Sequence, residues 1–222
     1  MYHRIARPMR LLEATDSWNY TTATIRQANA ATANQLDIVC GQAEGGISSG
    51  GGAIVACRNA ARQLEFASML DIFEGEVRYE LTFPKSEASV DEILALALDR
   101  LAPSPFHRTV AVEAIRQVLS KYRFLRPGFG LATPPDMGLE FGVVVPDGCG
   151  VEAVAAYEED GTLMIARPAF TKLNNLERAA LVLHEAVFYL QRTIGYGGSS
   201  SKSRKVVAHL LAENLAPDSG LN

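Results

Sequence analysis

The strongest hydrophobic period in the chain runs through NNLERAALVLHEAVFYLQRTIG. There Leu176, Ala180, Leu183, Val187, Leu190 and Ile194 recur at alternating steps of four and three, the spacing that places side chains on one stripe of a helix. Asn174 or Asn175 supplies the cap, Glu177 sits in the first turn, and Gly195 or Gly197 ends the element. Four further helices follow from similar patterns. VDEILALALDRLA begins after Ser89, with Glu92 placed to complete a capping box. The stretch after Pro105 through TVAVEAIRQVLSKYRF turns Val110, Ile115, Val118, Leu119 and Tyr122 inward, and KVVAHLLAENLA closes the chain. LEFASMLDIFE places Leu64, Ala67, Met69, Leu70, Ile72 and Phe73 mostly on one helical side, which predicts a helix over residues 64–74.

Alternation predicts the strands. AIVAC, residues 53–57, reads as a short buried strand. VRYELTFP alternates Val77, Tyr79, Leu81 and Phe83 and is stopped by Pro84. Residues 143–145, 151–157 and 162–165 predict a meander with a hairpin turn on Asp160-Gly161. Helices segregated from a mostly antiparallel set of strands predict one α+β domain, a small sheet packed with about four to five helices and ending in a helical hairpin. Its expected span is residues 45–216. Residues 1–44, without a sustained apolar period, read as a poorly ordered tail, and residues 217–222 as a second one. The Gly/Ser run at 45–52 is either a flexible linker or a tight backbone turn. The Pro- and Gly-rich residues 125–138 read as a surface loop.

Composition narrows the function classes. In 222 residues, 48% are hydrophobic and 21% charged, as in an ordinary globular protein. A net charge of −4 leaves no electrostatic footprint for nucleic acid, and no apolar run is long enough for a membrane span. The cysteines, Cys40, Cys57 and Cys149, form no CxxC pair. Their odd number permits one disulfide with a free thiol, or three reduced thiols.

The chemistry centres on His184 and Glu185. A zinc peptidase motif, HExxH, needs a second imidazole one turn after the first, with the glutamate activating the metal-bound water. Phe188 stands at that position. His209 on the last helix would supply the second nitrogen if the final helices pair, making His184 and His209 candidate zinc ligands and Glu185 the candidate catalytic base. Otherwise His184 is a hydrogen-bonded core histidine and Glu185 a salt-bridge partner of Arg204. The intervening GYGGSSSKSRK brings Ser199, Ser200, Ser201, Ser203, Lys202, Arg204 and Lys205 to a helix N-terminus. Ser203 and Arg204 there form an anion-binding corner or a structural tie. A Ser-His-Asp hydrolase is not indicated, because no G-x-S-x-G elbow occurs, and GGISSGGG lacks the ending of a P-loop.

The order of GGGAIVACRNA, EFASMLDIFEG, GCGVEAVAAY, NNLERAALVLHEAVFYLQRTIG and SSSKSRKVVAHLL resembles a family of uncharacterised, usually exported bacterial proteins. These have a Gly-rich stretch before a V-V-C strand, a helix like ELLDLYEA, a G-C-x-V-E strand, and an LHE helix followed by a Ser…Arg turn. The resemblance covers roughly residues 45–213. It implies a periplasmic or secreted location and, at the family-like cysteine positions, a Cys57–Cys149 disulfide. The N-terminus departs from it, with no apolar signal region, which leaves a cytoplasmic location open. Two functions fit these residues. One is a non-catalytic structural or interaction role with a His-Glu/Arg tie in the core; the alternative is a metal-dependent hydrolase using His184 and Glu185.

Overall fold

Strand β1, Ala53–Arg58, is the short buried strand expected from AIVAC, and its first four residues are fully enclosed. In the computed structural model, which describes residues 51–84, 87–101, 104–126, 129–131, 139, 143–193 and 200–214, β1 is the centre of an antiparallel three-stranded sheet. Its neighbours are β2, Leu64–Met69, and β4, Cys149–Ala153. A second sheet holds β3, Tyr122–Phe124, parallel to β6, Leu163–Ile165, which pairs antiparallel with β5, Ala155–Tyr157. The helices are α1, Leu70–Tyr79; α2, Val90–Asp99; α3, Pro105–Ser120; the short α4, Arg167–Phe170; α5, Asn175–Thr193; and α6, Ser200–Leu211. These described residues all lie in one compact unit, Gly45–Asn222, with an α+β architecture.

Local signals placed several elements correctly. Ser89 and Glu92 form the reciprocal capping box of α2. Asn174 accepts the Glu177 N–H at 3.0 Å and donates its own N–H to the Glu177 carboxylate, closing a second box at the start of α5. Gly161, at φ 78°, completes the turn between β5 and β6.

Other boundaries differ from the sequence pattern. Residues 64–69 form a strand, because their backbone pairs with β1 from Met69 opposite Ile54 to Leu64 opposite Arg58. The helix starts only at Leu70 and continues through Val77 and Tyr79, which alternation had assigned to a strand. Val77 is consequently exposed, while Leu81 and Phe83, beyond the left-handed cap at Glu80, pack against Ala208 and Ala212. Residues 122–124, expected to end α3, are a strand instead. Residues 143–145 are not a strand, and 151–157 is broken in two at Val154, where the chain leaves the first sheet for the second. The N-terminal tail, Cys40, residues 45–50, the turn at 195–199 and the tail at 217–222 lie outside the described residues.

Gly51 and Gly52 sit where the sheets diverge. The Gly52 carbonyl accepts the N–H groups of both Val154 and Ala155. A Cβ on Gly51 would lie 2.0 Å from the Ala155 carbonyl oxygen, and one on Gly52 would lie 2.5 Å from a Leu181 methyl. This end of the Gly/Ser run is therefore a tight backbone contact between β5 and α5, and only glycine fits. Gly75 plays a comparable part in α1. A Cβ there would meet Phe83 at 2.7 Å and the Ala208 methyl at 3.1 Å, so the missing side chain lets α1 lie close against α6.

Helix α5 is the core of the arrangement. It packs against α1, α2, α3 and α6, and every residue from Ala179 to Ala186 is buried. The apolar stripe of the sequence is thus part of a helix enclosed on all sides over about two turns. Val187 and Leu190 are only half-buried, whereas Phe188 is fully enclosed.

Candidate functional site

Three helices meet at a buried set of polar side chains. His184 projects from α5; its Nδ1–H donates to Asp71 Oδ1 on α1 at 2.8 Å, and its Nε2 shares a hydrogen bond of 3.4 Å with Ser200 Oγ at the start of α6. Ser200 Oγ also accepts from Arg204 Nη1, one turn along α6, at 3.2 Å. Arg204 Nε then donates to Glu74 Oε2, back on α1, at 2.7 Å. The hydrogen bonds therefore run Asp71–His184–Ser200–Arg204–Glu74, and both ends belong to α1, three residues apart on one helical face. Side chains and helix together form a closed ring.

Local sequence explains why each member points inward. Asp71 lies in the first turn of α1, where the helix dipole favours a carboxylate, and Glu74 follows at the spacing that shares its face. Ser200 and Arg204 are likewise one turn apart on α6. None of the five side chains reaches solvent: Asp71, His184 and Ser200 are 0% exposed, Arg204 1% and Glu74 2%. Burial of unpaired charge on this scale would be prohibitive. Here two carboxylates face a guanidinium and an imidazole, and each charged group meets an opposite partner.

Glu185, also fully buried, lies outside the ring. Its Oε1 accepts the Gly52 N–H, and its backbone carbonyl accepts the Tyr157 hydroxyl at 3.5 Å. Among the described residues its Oε2 has no hydrogen-bond partner. Burial pushes its pKa up, only partly opposed by His184 and the Gly52 N–H. For His184, burial works downward, but the adjacent Asp71 carboxylate and then Glu185 outweigh it, and the pKa is raised.

Both groups hold a proton more tightly folded than unfolded. Their contribution is complete below the ordinary values, 4.5 for the carboxyl and 6.5 for the imidazole, and is lost as pH rises through the folded values. Melting temperature should accordingly fall from mildly acidic to alkaline pH. In Glu185→Gln the decline should begin only above the imidazole range, and a melting series across pH on both proteins checks this.

Several sequence expectations change. Arg204 pairs with Glu74, not with Glu185, and its burial against that carboxylate removes it from an anion-binding corner. Ser203 bonds Gln191 at 3.5 Å. His209 does not share a site with His184: its Nδ1 bonds the Lys205 carbonyl of its own helix, and its ring packs 5.4 Å from Tyr79. Both nitrogens of His184 are already engaged. Among the described residues no group of three or more His, Cys, Asp and Glu is disposed to hold a metal ion.

The sequence reading missed Asp71, Glu74 and the role of Ser200. An acidic pair at three-residue spacing inside an apolar run, as in LDIFE, is the signal that marks them. Asp71, His184 and Ser200 also stand in the hydrogen-bond order of a nucleophile triad, although no G-x-S-x-G elbow precedes the serine.

Cys57 and Cys149 face one another across β1 and β4 and are joined by a disulfide. No helix among the described residues is long and apolar enough to cross a membrane. Comparison with protein-family models, with curated proteins and with solved structures yields no match for this chain.

Proposed function

We propose that the protein is a non-catalytic, exported bacterial protein with a structural or interaction role, in which the five-residue ring ties α1, α5 and α6 together. One observation carries this reading: the hydrogen bonds close on α1 at both ends, and the ring has no solvent-exposed member. A catalytic group must reach its substrate, whereas a tie functions best when water is excluded. The Cys57–Cys149 bond supports export, since disulfides persist in oxidising compartments. The segments that carry the family resemblance, EFASMLDIFEG, NNLERAALVLHEAVFYLQRTIG and SSSKSRKVVAHLL, are also those that contribute the ring.

The enzyme reading rests on one favourable observation, the Asp71–His184–Ser200 order. Against it, Ser200 Oγ is enclosed and already accepts from Arg204. The metal-dependent form is weaker still, because His184 has no nitrogen to spare.

Melting and metal content of His184→Ala and Glu185→Ala, purified without chelators, separate these roles. The tie predicts that His184→Ala loses about 2–4 kcal/mol by stranding Asp71, with zinc content equal in parent and variants. Parental stability together with loss of bound zinc would refute the tie.

A further inference from the structure

The Cys57–Cys149 disulfide occupies an asymmetric position in its sheet. Cys57 lies on the central strand β1 and Cys149 on β4, whose outer side pairs with no strand among the described residues. The Arg58 N–H donates to the Gly148 carbonyl at 3.3 Å, which puts Cys57 and Cys149 at the next, non-hydrogen-bonded position of the ladder. Opposed side chains stand closest there, on one face of the sheet. Both cysteines are half-buried and pack at the margin of the cluster formed by Ala53, Val55, Leu70 and Ala153, not inside it.

The two ends of the bond differ. Phe66 of β2 stands directly opposite Cys57 on the side away from Cys149, and cross-strand neighbours of this kind share a face. Cys149 has the open sheet edge in the corresponding place, and its neighbours in DGCGV carry no side chains. Gly148 has a positive φ of 78°. Gly150 has no such requirement, and a Cβ on it would meet nothing within 4 Å. A glycine that neither packing nor backbone demands, in an edge strand, leaves room for another molecule to approach. Exchange at a disulfide depends on access to the sulfur attacked, and here the accessible sulfur is that of Cys149.

We propose that the Cys57–Cys149 bond is a thiol–disulfide exchange site, opened in the folded protein by an external dithiol that attacks Cys149. One thiolate of the dithiol bonds Cys149 Sγ as the bond to Cys57 breaks, and the electron pair leaves on Cys57 Sγ, which takes a proton from water. The second thiolate then displaces Cys149 and closes the reagent's own disulfide. The dithiol is oxidised by two electrons and the protein reduced by two. The site goes beyond the structural role of the ring and does not depend on it.

Dithiothreitol tests this on the full chain, after alkylation of Cys40 in the oxidised protein. The rate of thiol release should be proportional to reagent concentration and unchanged by urea below the unfolding transition. It should lie within about ten-fold of the rate for the unfolded chain, because the sulfur is already accessible. A bond reached only through unfolding would react about a thousand-fold or more slowly in native buffer, and its rate would climb steeply with urea. A monothiol, 2-mercaptoethanol, fixes the direction of attack when the released thiol is alkylated and the peptides are weighed. The monothiol is expected on Cys149 and the alkyl group on Cys57. Steep urea dependence, no reaction in native buffer, or the monothiol found equally or mainly on Cys57 would overturn the proposal.

Discussion

Arg204→Ala is expected to destabilise the protein by about 3–5 kcal/mol, the usual consequence of leaving one buried charge without its partner. The guanidinium is nearly inaccessible, and its bond to Glu74 joins side chains that are each 2% exposed. Removing it strands the Glu74 carboxylate in the core and withdraws the donor that Ser200 Oγ accepts. The surroundings have little room to compensate, because Gly75 brings the backbone of α1 close to Ala208 on the same face of α6. Arg204→Met, which retains the stem of the side chain, should recover part of the packing but not the charge compensation. Joint replacement of Glu74 and Arg204 by apolar residues should cost less than Arg204→Ala alone. Chemical denaturation of the variants reads these differences.

Loss of the Cys57–Cys149 bond should be comparably severe. The bond joins residues 92 positions apart, and the chain between them holds β2, α1, α2, α3 and β3. Releasing a loop of that length from the unfolded chain corresponds to roughly 4–5 kcal/mol in the chain-entropy description. The double replacement Cys57→Ser with Cys149→Ser, or the parent in strong reductant, should melt far below the oxidised parent. Both cysteines are partly exposed, so the reduced thiols face little desolvation and the effect falls mainly on the unfolded state. The neighbouring Arg58–Glu152 pair bridges the same two strands, but at its surface position it offsets little of the loss.

The elements legible in the sequence were those governed by local rules. Ser89 and Glu92, the Asn174 cap and the Asp160-Gly161 turn each depend on neighbours a few residues away, and each stands where its motif placed it. Residues 64–69 were illegible for the opposite reason. LEFASM is apolar enough for either period, and only pairing with β1, itself inserted between β2 and β4, selects the strand. The run 151–157 looked like one strand because nothing at Val154 marks a break; the break is imposed by Gly52, distant in sequence, which takes the N–H groups on either side.

The site divided along the same line. His184 and Glu185 stood out because polar residues interrupted an apolar period. Their partners did not, since Asp71 lies 113 residues from His184 and Glu74 lies 130 from Arg204. Ser200 read as a helix cap, and its contact with His184 follows only from the way α6 packs on α5.

Ser200 joins the two ion pairs of the ring, and the unfolding free energy of Ser200→Ala measured by urea denaturation tests its structural role most directly. The substitution removes one hydroxyl, leaving His184 Nε2 and one Arg204 donor without their shared partner. A structural ring predicts a loss of about 1–3 kcal/mol. Stability equal to or above the parent, as expected where a strained nucleophile is removed from an active site, would contradict it.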